Sequence, residues 1–483
     1  MTKKTRPVLK GVVIAGTHSG CGKTTVTLGI LSALKKKGLR AQPFKAGPDF
    51  IDAGLHASVT GLSSRNLDVW MCGEEGVRQC FYKYASDADI SVVEGVMGMY
   101  DGSYSTAALA GLLQVPVVLV VDAYGMAESA GAVVEGFAEH RKTNTFAGVI
   151  FNRVSSKRHF DMLKRAIRKV PVLGYLPYDR DFEIKERHLG LMTAQESHLS
   201  QRDIDRLGKT VLEHIDVKDI IDRSVVGAGP RGRHSAGVRP SAGRLKNLKD
   251  VDSSPSAQND RIKTGPSPNI RIALAYDRAF CFYYEDNLDA LRDAGAEIIK
   301  FSPLQDKRLP EADVLYLGGG YPEVHAQALS ENRPMMESVR RWVGANRPIY
   351  AECGGMMYLS KGIHGFDSRF YRMAGVMPFE TVMDRSNLYL GYREIVLKED
   401  CIIGKKGDRL RGQEFHYSHL RTVSPDRSLK TCYKLGRRNR EEGYRVQRVL
   451  ASYIHIHFCS NPDIAGHFIN FVRQGDIECS GDV

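Results

Sequence analysis

The run Gly16-Thr17-His18-Ser19-Gly20-Cys21-Gly22-Lys23-Thr24-Thr25 constrains this chain more than any other segment. Apolar residues 12–15 lead into it, and a helix-like pattern over residues 26–34 leaves it. Strand, glycine-rich turn, Gly-Lys-Thr and helix together make a phosphate-binding loop. The glycines let successive backbone N–H groups converge on phosphate oxygens, and the helix N-terminus adds partial positive charge. Lys23 would reach the β- and γ-phosphates, and the Thr24 hydroxyl would ligate Mg²⁺. Gly16, Thr17, Gly20, Gly22 and Thr25 complete the candidate ATP-binding set. The strict spacing places its first glycine six residues before the lysine; Thr17 stands there, with Gly16 one position earlier.

At 483 residues the chain has room for two or three domains. Strand-like runs at 12–15, 90–94, 117–122 and 147–152 alternate with helical segments up to about residue 215. That alternation argues for a mainly parallel sheet covered by helices on both faces. The pattern resumes with strands at 270–276, 314–317 and 348–352, helices at 287–295 and 335–344, and a last β-rich region running to 451–458. Between the halves, residues 224–268 carry eight Lys/Arg against three Asp among many Gly, Ser and Pro, the composition of a flexible, solvated linker. The expectation is an α/β protein of two domains, each a mainly parallel sheet flanked by helices, spanning 1–222 and 269–483 and joined by a basic linker at 223–268.

Net charge is +12, and part of the excess sits in that linker. Nucleic acid is therefore not expected as a partner; basic character also suits a substrate rich in carboxylates. No apolar run approaches the ~20 residues of a membrane span, and the basic residues 1–10 lead into a strand rather than a signal peptide. Nine cysteines without regular spacing form no disulfide framework. A cytoplasmic protein with reduced thiols is the expectation, with the oligomeric state left open.

ATP chemistry needs acids to hold Mg²⁺ and a group to orient the acceptor. Phe44-Lys45-Ala46-Gly47-Pro48-Asp49-Phe50-Ile51-Asp52 offers Lys45 and Asp49 as catalytic candidates and Asp52 as a metal ligand. Its Gly-Pro marks a turn after a short strand, where ligands gather in α/β folds. Val92-Val93-Glu94-Gly95 ends a strand on a carboxylate, the usual place for a metal-binding acid, and Asp101 follows in a glycine-rich loop. Each acid alone also suits a capping or turn role. Together these segments resemble dethiobiotin synthetase and its relatives, ATP-using enzymes that activate carboxyl-type groups. Related partitioning ATPases carry a second lysine where this chain has His18. Phe151-Asn152-Arg153 resembles the segment whose asparagine reads adenine in that superfamily, although an asparagine ending a strand is also a common turn residue.

Pro348-Ile349-Tyr350-Ala351-Glu352-Cys353-Gly354-Gly355-Met356 places Cys353 between a strand and a helix, as in a nucleophile elbow. The helix N-terminus would lower the thiol pKa; a buried packing cysteine is the alternative. Leu317-Gly318-Gly319-Gly320 ends another strand with three glycines, so Gly319, Gly320 and Gly354 are candidate oxyanion donors. Ala451-Ser452-Tyr453-Ile454-His455-Ile456-His457-Phe458 supplies a histidine base, and strand alternation alone does not separate His455 from His457. This order resembles the class I glutamine amidotransferase domain, whose Tyr-x-His spacing favours His455. Many such domains have a Glu two residues after that histidine; here His457 stands there, implying a Cys–His dyad with an unidentified orienting group.

The whole chain resembles the cobyrinic acid a,c-diamide synthase family. The resemblance rests on 16–25, 44–52, Ser64-Arg65-Asn66-Leu67-Asp68, 93–101, Glu186-Arg187-His188-Leu189-Gly190-Leu191, Cys353 and His455. It implies ATP-dependent amidation of the a- and c-acetate carboxylates of cobyrinic acid through acyl phosphates, with L-glutamine or ammonia as nitrogen donor and Mg²⁺ as cofactor. Arg187 and His188 would contact substrate carboxylates or serve as surface-turn residues. Gln413 stands where the family usually has histidine, which preserves hydrogen bonding but not titration. Two alternatives remain at this level: a Ni-sirohydrochlorin a,c-diamide synthase, and a phosphate-loop switch ATPase whose second domain only binds.

Overall fold

The computed structural model describes residues 9–182, 200–227, 270–422, 429–436 and 440–479. Arg187, His188 and linker residues 228–269 lie outside the described residues. No helix among those described is long and apolar enough to cross a membrane.

Seven strands form the first sheet: β1 (Gly11–Gly16), β2 (Ala41–Ala46), β3 (Arg65–Leu67), β4 (Ile90–Glu94), β5 (Val117–Asp122), β6 (Phe146–Val154) and β7 (Val172–Pro177). Their spatial order is β3-β2-β4-β1-β5-β6-β7, and every pairing is parallel. β1, β2 and β4 are buried along their whole length, because helices cover both faces of a parallel sheet and leave no solvated side. Helix α1 (Lys23–Lys36) follows β1, α2 (Phe50–Thr60) follows β2, and α3 (Val69–Ala85) follows β3. The chain leaves central β1 between neighbours that continue in opposite directions of strand order, so the crevice at the strands' C-terminal ends opens there. Residues 223–227, assigned to the linker by composition, pack back on this sheet: Gly11 N donates to Ser224 O, and Lys10 bridges to Val225.

The second unit contains β8 (Ile270–Ala275), β9 (Ala296–Phe301), β10 (Val314–Leu317), β11 (Ile349–Glu352), β12 (Gly362–His364), β13 (Phe370–Arg372), β14 (Phe379–Met383), β15 (Tyr389–Leu397), β16 (Arg409–His416), β17 (Ser418–Thr422), β18 (Lys430–Leu435), β19 (Arg440–Val446), β20 (Val449–Ser452) and β21 (His455–Ile456). A ten-stranded sheet runs β21-β16-β15-β18-β19-β20-β11-β10-β8-β9, and β12, β13, β14 and β17 form a smaller one. The molecule is α/β with two principal sheets, but in the second the parallel part is confined to β20-β11-β10-β8-β9. From β19 outward every pairing is antiparallel. Where the connections are shortest, between β18 and β19 and between β19 and β20, so few residues can only return the strand antiparallel.

Candidate functional site

The phosphate-binding loop wraps the C-terminal end of β1. Gly20 and Gly22 have φ of 81° and 94°, in the left-handed region that an L side chain disfavours. A Cβ on Gly22 would also lie 1.9 Å from Asn152 Nδ2, and one on Gly16 would lie 2.3 Å from Cys21 Sγ. Lys23 opens α1, is almost fully buried, and donates to His18 O at 3.3 Å. Burial lowers its pKa against the opposing pull of nearby Glu94 and Asp52. Thr17 Oγ1 pairs with His18 Nδ1 at 2.9 Å, and Thr25 Oγ1 donates to Phe182 O at 3.3 Å. Asn152 Nδ2 donates to Cys21 O at 3.0 Å, so this side chain braces the loop.

Glu94 ends β4 and is wholly buried. One carboxylate oxygen accepts from Thr24 Oγ1 at 2.7 Å and from Lys45 Nζ at 3.1 Å. Lys45 lies opposite Glu94 in the β2–β4 register and also pairs with Asp52 Oδ2 at 2.6 Å. Burial alone would raise the Glu94 pKa; Lys45 and the His56 and Thr24 hydrogen bonds outweigh it and hold Glu94 well below the usual carboxylate range. Burial and the Glu94 charge raise Asp52. Asp52 and Glu94 thus share the Lys45 ammonium and Thr24 joins them through Glu94, a set of hard oxygen donors of the kind that suits Mg²⁺. Asp49 caps α2, accepting from Ile51 N at 2.7 Å, and exposed Asp101 closes a turn by accepting from Gly98 N at 2.9 Å. Both occupy the capping or turn positions that the sequence left open to them.

His56 was not singled out from the sequence, yet it belongs to this centre. Its Nε2 lies 2.6 Å from the second Glu94 oxygen, and its Nδ1 lies 3.1 Å from Ser64 Oγ. Its one visible signal was a polar residue within the first turns of a helix beginning at Gly-Pro-Asp; the partner Glu94 is 38 residues away.

Cys353 occupies the N-cap of the helix Gly354–Leu359 with φ 46° and ψ −102°. A non-glycine residue held there stores about 1–3 kcal/mol of strain, characteristic of a functional turn. Cys353 N donates to Ser452 O of β20 at 2.6 Å, and Sγ points at Phe415 O, 4.0 Å away. The thiol lines a cavity with Gly320, Tyr321, Glu323, Phe415 and Ser418. Burial pushes the thiol pKa up, with the Glu323 charge adding to it, so the lowering expected from the helix N-terminus does not prevail in this conformation.

Gly320 N lies 3.1 Å from where a Gly354 Cβ would stand, placing it beside the elbow. Gly319 faces His455: a Cβ there would lie 2.2 Å from the imidazole Cε1. The His455 ring is buried, its Nδ1 has no hydrogen-bond partner among the described residues, and burial lowers its pKa to about 3. β21 ends at Ile456, so strand alternation stops before His457, which turns to Cys72 and Tyr284. The geometry therefore separates two histidines that periodicity could not. Glu352 anchors the segment between them, accepting from Ile456 N at 3.0 Å, Tyr350 OH at 2.6 Å and Tyr316 OH at 3.0 Å; burial raises its pKa to about 7.

One segment joins the centres. β2 carries Lys45 to Glu94, and four residues beyond its end Phe50 packs against His455, with ring centroids 5.1 Å apart, and stacks on Phe282 at 5.2 Å. Gln413 sits opposite His455 in the β16–β21 register and donates to Pro48 O at 2.8 Å. An amide side chain serves this contact without titrating. Tyr392 OH donates to Asp68 Oδ2 at 2.6 Å, and Arg65 pairs with Asp286 and Asp289, fastening the same interface.

Comparison with known proteins agrees with this division. Residues 12–191 match the CobQ/CobB/MinD/ParA nucleotide binding domain, and residues 271–463 match the CobB/CobQ-like glutamine amidotransferase domain. The chain is similar to cobyrinate a,c-diamide synthases along nearly its whole length. The protein of that name from Caldanaerobacter subterraneus subsp. tengcongensis is 41% identical over 471 residues, covering 95% of this chain and 97% of the relative. The one from Listeria monocytogenes serotype 4b is 40% identical over 475 residues, covering 96% and 99%. The one from Salmonella typhimurium is 39% identical over 475 residues, covering 96% and 98%.

Proposed function

The chain belongs to the cobyrinate a,c-diamide synthase family and is a glutamine-using, amide-forming ligase, and on that premise we propose how its residues divide the work. The substrate is cobyrinic acid, and the groups amidated are its a- and c-acetate carboxylates. A carboxylate is a poor electrophile because its oxide leaving group is strongly basic. Transfer of the ATP γ-phosphoryl group gives an acyl phosphate and ADP; ammonia then displaces phosphate and leaves an amide. The loop from Gly16 to Thr25 holds the nucleotide, and Lys23 neutralises the transferring phosphoryl group. Thr24, Asp52 and Glu94 would hold Mg²⁺, which supplies further charge neutralisation on the phosphates. Lys45 fixes Glu94 and Asp52 in place, and His56 fixes Glu94 from the other side.

Ammonia comes from glutamine. The Cys353 sulfur attacks the side-chain amide carbon, the oxyanion takes hydrogen bonds from Gly320 and Gly354 N–H, and His455 moves the thiol proton to the departing ammonia. Water hydrolyses the thioester to glutamate. Gly319 contributes by leaving room for His455.

The single observation that carries this reading is the shared segment: the strand that positions Lys45 in the nucleotide centre leads directly into Phe50 against His455. Incubation with cobyrinic acid, ATP, Mg²⁺ and glutamine should convert two carboxyls to amides, read by product mass. An unchanged cobyrinic acid beside amidated Ni-sirohydrochlorin would transfer the assignment to that tetrapyrrole. In Cys353→Ala, glutamine-dependent amidation should fall about a thousandfold while ammonia-dependent amidation persists. Loss of neither would leave the second domain as a binding module.

A further inference from the structure

His457 leaves the glutaminase centre and enters a different group of side chains. Its Nδ1 lies 3.6 Å from Cys72 Sγ, on α3 of the first unit and 385 residues away in sequence. Cys459 completes the group: one ligand atom from each of Cys72, His457 and Cys459 lies within 4.8 Å of the other two. We propose that Cys72, His457 and Cys459 form a zinc site that bridges the two domains.

The chemistry and the spacing agree. Zinc takes thiolate at about 2.3 Å and imidazole nitrogen at about 2.05 Å, so a sulfur and a nitrogen on a tetrahedral ion stand roughly 3.6 Å apart. The observed Cys72–His457 separation has that value before any ion draws the ligands in. His457 Nδ1 accepts the Cys459 N–H at 3.3 Å, so the ion would take that same lone pair in place of a long hydrogen bond. His457 is fully buried and the two cysteines are half-buried, so the group is enclosed but reachable. Two soft sulfurs and one imidazole select zinc over Mg²⁺ or Ca²⁺, which demand oxygen. Three protein ligands leave a fourth position to water. Cys80 stands outside the set because its thiol is turned to Asp286 Oδ2 at 3.6 Å.

Zinc takes both cysteines as thiolates and the imidazole as a neutral base, so uptake of the ion displaces protons from the group. Its structural effect is a staple between α3 and the segment that directly follows β21, the strand that carries His455.

The test uses the full-length protein, stripped with chelator and titrated with Co²⁺ as an optical stand-in. The expected result is a sulfur-to-cobalt charge-transfer band and strong tetrahedral visible bands, saturating at one ion per chain and removed by Zn²⁺. Cys72→Ser and Cys459→Ser should each weaken that binding about tenfold or more, while Cys80→Ser keeps it. Absence of thiolate–cobalt absorption in the unmodified protein overturns the site without reference to any variant. So does absorption unchanged in both Cys72→Ser and Cys459→Ser, or a Cys72–Cys459 disulfide in freshly isolated protein that takes up no metal.

Discussion

Gly319 tests the glutaminase geometry with one added methyl group. A Cβ there would overlap the buried His455 ring, which is packed against Phe50 and has little room to yield. Gly319→Ala should therefore lower glutamine-dependent amidation about a hundredfold or more while leaving the ammonia-dependent reaction within about twofold; parallel rate measurements with the two nitrogen donors check this. Lys23→Ala should abolish both reactions, because both need the acyl phosphate. At this scale the sequence was most readable where chemistry is local. Lys23, Thr24 and Cys353 announce themselves by their immediate neighbours. His56 did not, because its meaning lies in a 2.6 Å contact with a strand end elsewhere in the fold. The choice between His455 and His457 was equally closed to periodicity, since it depends on where β21 stops.

Among the elements, the antiparallel half of the second sheet departs furthest from expectation, and Glu414 ties it together. This buried carboxylate on β16 meets Arg393 of β15 at 2.6 Å, Arg440 of β19 at 2.8 Å and His416 at 3.0 Å. Burial would raise its pKa, but His416 and Arg440 reverse the effect and hold it down to about 2. A depressed folded-state pKa means the contribution to stability is present above the unfolded value and is lost as pH falls toward about 2. Glu414→Gln should cost about 3 kcal/mol near neutral pH. Denaturant titrations should show that difference shrinking through the acid range, where the carboxylate protonates anyway. Strands of the first, parallel sheet were legible because runs such as β5 are apolar up to a terminal acid. Which strands pair, and in which direction, is set by connections and by contacts such as Glu414's, and these are not periodic in sequence.

For the whole molecule, the account stands on the contact between two chemistries. Residues 47–50 belong to the nucleotide unit by chain but pack on the glutaminase unit through Pro48 and Phe50. The sequence showed that both units exist; it did not show that Gln413 and Phe50 join them, since neither residue carries reactive chemistry. Replacing Phe50 by Ala should leave glutamine hydrolysis running while the fraction of its nitrogen recovered as amide falls severalfold, as measured by glutamate and amide released per turnover. The most direct measurement of the central claim follows the nitrogen itself. With glutamine carrying heavy nitrogen in its side-chain amide, and unlabelled ammonium in the buffer, the unmodified chain should place the heavy label in the product amides. Cys353→Ala under the same conditions should place only buffer nitrogen there. Product from the unmodified chain that carries buffer nitrogen while glutamine is consumed would contradict the account, because the two centres would then be working apart.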